Sequence, residues 1–371
     1  MTTHNEWLAI VDDVGPGFAE GAAERDANDT FIASHYPIMK EKGLICALVP
    51  ESEGGGGASY GDMCGILRRL GYHDGPTALA LSMHQHLLAA QVFKHRRGMP
   101  TPVLGKVGAK KLVLISTGAR DWQQSNGLMS KVDGGYRVSA RKAFASGGPA
   151  GNVLVTSATY EHPTEGWQVL HFPVPMSAEG VHMEHDWKAH GMRSTGSNTI
   201  VLDKVFVPEG AVALTRPRAD YHPVWNIVLT VALPLICSAY VGIAERAAEL
   251  AAVHGTRKAD LVTTQWSAGE MMSELHVAQA CLDQMIVLTN EFDFEPSVAL
   301  ASKMLALKTH TVESAQRVCE RAIETAGGAG FYRRTGLERL LRDVRAGQFH
   351  PLSRKPQLLF TGRVALGLSP I

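Results

Sequence analysis

The spacing of hydrophobic positions changes twice along this chain. In residues 1–111, and again from residue 217 to residue 371, apolar residues recur at intervals of three, four and seven, which is typical of one face of a helix. In residues 112–216 they alternate over short runs that glycine and proline separate, which is typical of strands. The pattern predicts an α+β protein with an N-terminal helical domain (1–111), a β-domain (112–216) and a C-terminal helix-bundle domain (217–371).

The first of these segments predicts several helices around a glycine run. Trp7, Ile10, Val14 and Phe18 form an apolar face that Gly15-Pro16 interrupts, and further helical patterns cover residues 29–42, 60–71 and 79–89. Four glycines at 54–57 predict a turn or a mobile loop.

Two histidines, His84 and His86, interrupt the apolar pattern of residues 79–89. Because they are two positions apart, they point in different directions and could not bind one metal from a single helix face. A histidine on an apolar face is usually a satisfied core residue. The alternative is that one of the two faces a substrate cavity.

The middle segment predicts a barrel or a small sandwich. Strands are predicted over residues 111–116, 134–144, 152–158, 167–174 and 199–207, the second of them leaving a Gly-Gly hairpin turn.

The last segment predicts an antiparallel bundle built from residues 224–252, 269–292 and 296–326. The first of these is strongly apolar, but polar residues and a proline break it up, so a buried bundle helix is a better prediction than a membrane span. The glycine turn at 327–330 ends the third helix and precedes a short helical segment and His350. This turn is either a helix C-cap or a place where backbone amides meet a phosphate or a flat ring.

Composition narrows the possible functions. Lys plus Arg and Asp plus Glu both number 36, so the formal net charge is zero and neither a nucleic acid nor an anionic membrane is an expected partner. The five cysteines include no C-x-x-C pair, which indicates reduced thiols in the cytoplasm and no metal site. Residues 1–13 lack the pattern of a signal peptide.

Five short motifs stand in one order along the chain. They are residues 49–51 before the glycine run, residues 142–147, residues 191–197 followed by 205–208, residues 327–331, and residues 337–343. Together they resemble the acyl-CoA dehydrogenase superfamily of flavoproteins. The resemblance implies a four-helix bundle after a β-barrel-like domain, and FAD, with FMN as the alternative, held between them. It also implies a homodimer or homotetramer, a small-molecule substrate such as an acyl-CoA, and an electron-transfer or flavin-reductase partner.

The resemblance also assigns roles to individual positions. Phe144 matches an aromatic residue against the flavin ring, and Ser146 matches a hydroxyl near flavin N5. Ser116 and Thr117 match a strand end at the flavin edge. In the family, the turn matching Gly327, Gly328 and Gly330 meets the cofactor of a neighbouring subunit.

Three positions depart from the family pattern. The family's catalytic glutamate falls at Pro351, and its alternative position falls near Trp225, which we place beside the substrate together with His84 and His86. A family arginine that binds the diphosphate falls at Ala251, which is why FMN remains an alternative. The nearest titratable group to the vacant position is His350, which is a candidate catalytic base or hydrogen-bond donor.

Three hypotheses follow for the function. The first is an acyl-CoA-dehydrogenase-type oxidoreductase, in which hydride passes from an acyl-CoA-like substrate to flavin N5. The second is a monooxygenase or oxidase on the same fold that uses reduced flavin and O2. The resemblance implies that in such members a histidine and a hydroxyl protect the flavin after it has reacted with oxygen. The third is a flavin-binding protein without chemistry, which the retained Ser146 disfavours.

Overall fold

The computed structural model describes residues 2–117 and 123–371. Six helices come first in the chain: α1 (His4–Ala19), α2 (Ala22–Ala27), α3 (His35–Glu41), α4 (Tyr60–His73), α5 (Gly75–His95) and α6 (Pro102–Lys110). The strands follow: β1 (Leu114–Ser116), β2 (Leu128–Val132), β3 (Gly135–Lys142), β4 (Val153–His162), β5 (Gly166–Pro175), β6 (Val181–Met183), β7 (Ile200–Pro208) and β8 (Leu214–Pro217). Five helices end the chain: α7 (Val224–Gly255), α8 (Val262–Thr289), α9 (Val298–Ala326), α10 (Leu337–Val344) and α11 (Arg354–Ala365).

Capping side chains explain where the early helices begin. Thr3 and Ser59 each start a helix with a capping box, and Asp74 accepts a hydrogen bond from the Thr77 amide at the start of α5.

The Gly15-Pro16 pair does not break α1, although the sequence predicted an interruption there. Both residues lie in the last turns of α1, and a side chain at position 15 would collide with the ring of His73 on α4.

The glycine run at 54–57 is a turn that backbone hydrogen bonds hold in place. The amides of Gly55, Gly56 and Gly57 donate to the carbonyls of Pro50, Cys46 and Val49 at 2.9–3.1 Å. The helix predicted over residues 29–42 is shorter, because α3 covers only His35–Glu41.

The strands form one connected sheet in the order β6-β7-β3-β2-β4-β5-β8, with β1 beside β4. β2 and β3 make the hairpin that the Gly134-Gly135 pair predicted. β1 runs parallel to β4, with Ser116 opposite Val155. The end of β1 therefore lies within the sheet, beside the first residues of β4.

The long helices α7, α8 and α9 pack together, and α11 completes the C-terminal bundle. The N-terminal helix α4 also crosses α7, where a side chain at Gly242 would lie 2.0 Å from the Arg68 carbonyl oxygen. By length and composition the α7 region could cross a membrane, but 89% of its most apolar window is buried inside the protein, as expected for a bundle core. The α+β architecture of helices, central sheet and helix bundle is confirmed.

Candidate active site

A cavity of about 330 Å³ lies between the sheet, α5, α7 and the segment that carries His350 and Pro351. The helix side of the wall is apolar, with Met83 and Leu87 from α5 and a row of residues along α7 from Val224 to Ile236. The strand side carries hydroxyls, from Ser116, Thr117, Thr156 and Ser157. A cavity with one apolar wall and one hydrogen-bonding wall is typical of a cofactor or substrate site.

Strand register explains the hydroxyl wall. Ser157 on β4 pairs with His171 on β5, which pairs with Leu214 on β8, so one row of neighbouring residues lines the cavity. Thr117, just after β1, lies 2.7 Å from Thr156 between their hydroxyl oxygens. A neighbouring strand thus holds the hydroxyl of Thr117 in place.

The loop after β3 brings Phe144 and Ser146 to the cavity. Phe144 has a positive φ of 63°, an unusual backbone conformation for a bulky side chain, and its ring is 48% exposed. The Ser146 side chain is buried, and its Oγ lies 2.7 Å from Oγ of Ser197. The loop therefore places an aromatic ring and a hydroxyl side by side.

His350 contacts two buried residues of the bundle. The phenol oxygen of Tyr240 on α7 lies 2.6 Å from its Nε2, and Lys308 on α9 donates to its backbone carbonyl at 2.9 Å. Burial, with the nearby Lys308 charge and then His86, lowers the pKa of His350 to about 3. His350 is therefore neutral at physiological pH.

The tautomer of His350 follows from Tyr240. The Tyr240 phenol is fully buried and His350 is its one recorded hydrogen-bond partner within the described residues, so its hydrogen is satisfied only by donation to Nε2. Burial keeps the phenol protonated, because it raises its pKa well above the ordinary value. Nδ1 of His350 then carries the hydrogen, and this side chain offers a donor N–H.

His86 offers a hydrogen-bond acceptor where His350 offers a donor. Its Nδ1 lies 3.3 Å from the Ser82 carbonyl oxygen, which can only accept, so Nδ1 carries the hydrogen and Nε2 keeps a lone pair. Burial lowers the pKa of His86 to about 4. The cavity thus contains a neutral acceptor from α5 and a neutral donor from the segment after α10.

His171 is a third neutral imidazole of the cavity. Arg216 Nε donates to His171 Nε2 at 3.0 Å, which leaves the hydrogen on Nδ1. Burial first, and then the charge of Arg216, lowers the pKa of His171 to about 3. The Arg216 guanidinium also lies 5.5 Å from the ring centre of Trp225, another residue of the cavity wall.

The two positions where the family carries its glutamate, Pro351 and Trp225, both lie on the cavity wall. Among the described residues that line this cavity there is no Asp or Glu. The titratable side chains on the wall are His86, Lys94, His171 and His350.

Other predicted site residues lie elsewhere. His84 is buried behind the wall, where its Nε2 donates to the Ile45 carbonyl and its Nδ1 accepts from the Leu114 amide, both at 2.9 Å. With both nitrogens bonded, His84 joins α5 to β1 and offers nothing to a substrate. Gly327, Gly328 and Gly330 form a tight turn at the end of α9, away from the cavity of this chain. Their predicted contact with a neighbouring subunit's cofactor stays a prediction.

The residues that the sequence did not reveal are those that orient the site. Tyr240 and Lys308 lie in apolar helical patterns, Ser197 ends the motif 191–197, and Arg216 lies beyond the last predicted strand. Nothing in their spacing points to His350, Ser146 or His171. Thr156 and Ser157 could have been found from the sequence, because both hydroxyl residues lie within the predicted strand 152–158.

The residues present fit a flavin. The isoalloxazine ring is flat, with apolar faces and one edge of nitrogens and oxygens, and the cavity opposes an apolar helix wall to a wall of hydroxyls. Ser116, Thr117, Ser146 and Thr156 would hold the polar edge, and Phe144 would lie next to the ring. Within the described residues, no group of three His, Cys, Asp or Glu side chains is placed to hold a metal ion.

Comparisons with known proteins agree with this architecture. The acyl-CoA dehydrogenase N-terminal domain model matches residues 16–95, and the C-terminal domain model matches residues 235–354. An amino sugar nitrososynthase of Streptomyces peucetius is 28% identical over 95% of this chain and 91% of its own. A cyclohex-1-ene-1-carbonyl-CoA dehydrogenase of Syntrophus aciditrophicus (strain SB) is 23% identical over 94% of this chain and 86% of its own.

Among solved structures, KijD3 in complex with FMN and a dTDP-linked amino-keto sugar has the same fold. It superimposes with a TM-score of 0.89 at 23% identity, covering 98% of this chain and 94% of its own. The predicted flavin cofactor agrees with these findings. Because both domain models match and the cavity residues fit a flavin, this chain belongs to the acyl-CoA dehydrogenase family and is a flavin-dependent oxidoreductase.

Proposed function

We propose that this chain is a flavin-dependent monooxygenase, which receives reduced flavin from a separate reductase and transfers one oxygen atom of O2 to a small, largely apolar substrate. The observation that carries the proposal is the cavity wall. Its three histidines are neutral, and no carboxylate joins them among the described residues.

Dehydrogenation of an acyl-CoA begins with removal of a proton next to the thioester, which needs a base of adequate strength. A histidine whose pKa is lowered to about 3 accepts a proton poorly at neutral pH. Tyr240 also occupies the lone pair of His350 Nε2, so this residue offers a hydrogen instead of taking one. The predicted role of His350 as general base is therefore replaced, in this proposal, by that of a hydrogen-bond donor.

Bound reduced flavin would supply the two electrons for the reaction, in which one oxygen atom enters the substrate and the other leaves as water. The chain would supply the apolar walls and the hydrogen-bonding groups of the site. The α7 wall excludes water, and Phe144 covers one side of the cavity. The N–H of His350 and the lone pair of His86 would orient polar groups of the substrate or of the oxygen species.

The relatives divide between the two chemistries. The nitrososynthase is the relative with the higher identity of the two described above, and the KijD3 structure holds FMN. The dehydrogenase relative supports the second candidate, oxidation of an acyl-CoA with electron transfer to a partner protein.

A homodimer or homotetramer is also proposed, because Trp266 on α8 and Phe331 after α9 are 69% and 87% exposed in one chain. Light scattering of the purified protein measures the assembly.

One pair of measurements separates the candidates. The protein loaded with oxidised FMN or FAD is mixed without oxygen with a panel of acyl-CoA thioesters, and the flavin absorbance is followed. We expect no bleaching. The protein is then given chemically reduced flavin, ¹⁸O-labelled O2 and a panel of small aromatic and amino-sugar substrates, and one labelled oxygen atom is expected in a product. Rapid bleaching by a thioester would instead establish the dehydrogenase.

A further inference from the structure

Three hydroxyls run in a line from the cavity wall to a backbone carbonyl. Oγ of Ser146 lies 2.7 Å from Oγ of Ser197, which lies 2.6 Å from Oγ1 of Thr195, which donates to the Met192 carbonyl oxygen at 2.9 Å. Ser146, Ser197 and Thr195 are all buried, at 7%, 5% and 0% exposure. We call these three side chains the hydroxyl relay.

The relay contains three hydrogen bonds, and its three hydroxyls supply one hydrogen for each of them. The Met192 carbonyl has no hydrogen, so Thr195 must donate to it. Ser197 must then donate to Thr195, and Ser146 must donate to Ser197. Any reversal leaves two buried oxygens at contact distance with no hydrogen between them, which is unfavourable.

The far end of the relay is anchored by two other elements. The Met192 amide donates to the buried Asp343 carboxylate of α10 at 2.5 Å, and the Trp187 indole donates to the Met192 carbonyl at 3.0 Å. This backbone is therefore held in position from both sides. The direction of the relay follows from that fixed acceptor.

Resting on the proposed function, we propose that the relay makes the site select reduced over oxidised flavin, with Ser197 and Thr195 as positioning residues. Because the hydrogen of Ser146 is committed to Ser197, Ser146 offers a ligand only oxygen lone pairs. Reduced isoalloxazine carries an N–H where the oxidised ring has a bare nitrogen. A lone pair attracts the first and repels the second.

The test is anaerobic titration of the full-length protein with oxidised and with dithionite-reduced FMN and FAD, together with the midpoint potential of the bound flavin. The wild-type protein is expected to bind the reduced form more tightly. In Ser197→Ala the hydrogen of Ser146 is freed and can turn to the bare nitrogen. Oxidised flavin should then bind about 2- to 12-fold more tightly, the factor for one hydrogen bond of ordinary strength, while reduced flavin changes little.

Thr195→Val tests the relay at a residue that does not touch Ser146. Without the Thr195 oxygen, Ser197 can donate towards Ser146, so the same gain in affinity for oxidised flavin is expected. The midpoint potential of the bound flavin should fall accordingly, because only the oxidised form gains a hydrogen bond. Thr195→Ser keeps a hydroxyl and should restore the wild-type ratio. Ser194→Ala, a buried serine of the same turn outside the relay, is the matched control and should change neither affinity.

The outcomes separate the relay from the wider function. Flavin that binds with an unchanged reduced-to-oxidised ratio in both Ser197→Ala and Thr195→Val overturns the relay and leaves the monooxygenase proposal in place. Equal loss of both redox forms in these variants also overturns it, since that is the result of a purely structural role. Failure of the wild-type protein to bind either form refutes both proposals.

Discussion

Tyr240 decides which nitrogen of His350 carries the hydrogen. If the phenol is removed in Tyr240→Phe, His350 can exchange tautomers and loses its fixed donor. Loss of one hydrogen bond costs about 0.5–1.5 kcal/mol, so we expect the ratio of oxygenated product to hydrogen peroxide to fall about 2- to 12-fold. Peroxide and product are measured after mixing reduced flavin, substrate and O2.

Tyr60→Phe is the control for this prediction. The Tyr60 phenol is also fully buried, but it donates to the Val231 carbonyl at 2.8 Å and does not line the cavity. Its loss should lower stability without affecting the product ratio. His350→Gln gives the decisive contrary result: if it slows anaerobic flavin reduction by a substrate about 10²- to 10⁴-fold, His350 is a general base after all.

At the scale of elements, β1 depends on α5. This strand has only three residues, and the bond from the Leu114 amide to His84 Nδ1 fixes its start. In His84→Leu the amide of Leu114 loses its partner, whereas the Ile45 carbonyl keeps a bond from Gln85. We expect the free energy of unfolding, measured in urea, to fall by about 1–3 kcal/mol.

Because β1 ends at Ser116 on the cavity wall, His84→Leu should also weaken flavin binding. His182→Leu is the surface control, since His182 is exposed on the short strand β6, and it should leave both quantities unchanged. Wild-type stability in His84→Leu would show that β1 is held by its pairing with β4 alone.

At the scale of the whole molecule, five histidines with lowered pKa values make the fold sensitive to acid. Burial lowers the pKa of His35, His84 and His86 to about 4, and that of His171 and His350 to about 3. Between these values and about 6.5 the unfolded chain binds more protons than the folded chain, so stability falls as pH decreases. Each histidine contributes up to about 1.4 kcal/mol per pH unit.

Asp343 acts in the opposite direction. Burial raises its pKa to about 7, so this group contributes stability at low pH that is lost as the pH rises towards 7. Five groups outweigh one, and the melting temperature should therefore decrease from pH 6.5 to pH 4. His350→Gln should make this decrease shallower. A melting temperature that is constant over this range would mean that the histidines become solvated in the folded state.

The sequence by itself predicted the order of helices, strands and bundle, because both patterns are local and repeat along each element. It also predicted that Ser146, Phe144, His350 and Trp225 belong to one site, and the structure brings all four to the cavity. Where it failed, tertiary contacts overrode local signals. Helix α1 continues through Gly15-Pro16, and the apolar pattern at residues 79–89 did not distinguish His84 from His86.

Only the tertiary structure decided what the site can do. Tyr240 and His350 are 110 residues apart, and Ser146 and Ser197 are 51 apart, so no spacing along the chain relates them. Yet these contacts determine which atoms carry hydrogens, and burial by distant elements determines which histidines stay neutral. Hydrogen-bond direction and desolvation depend on neighbours in space. Periodicity reports only which face of an element is buried, which is why it revealed the fold but not the polarity of the cavity.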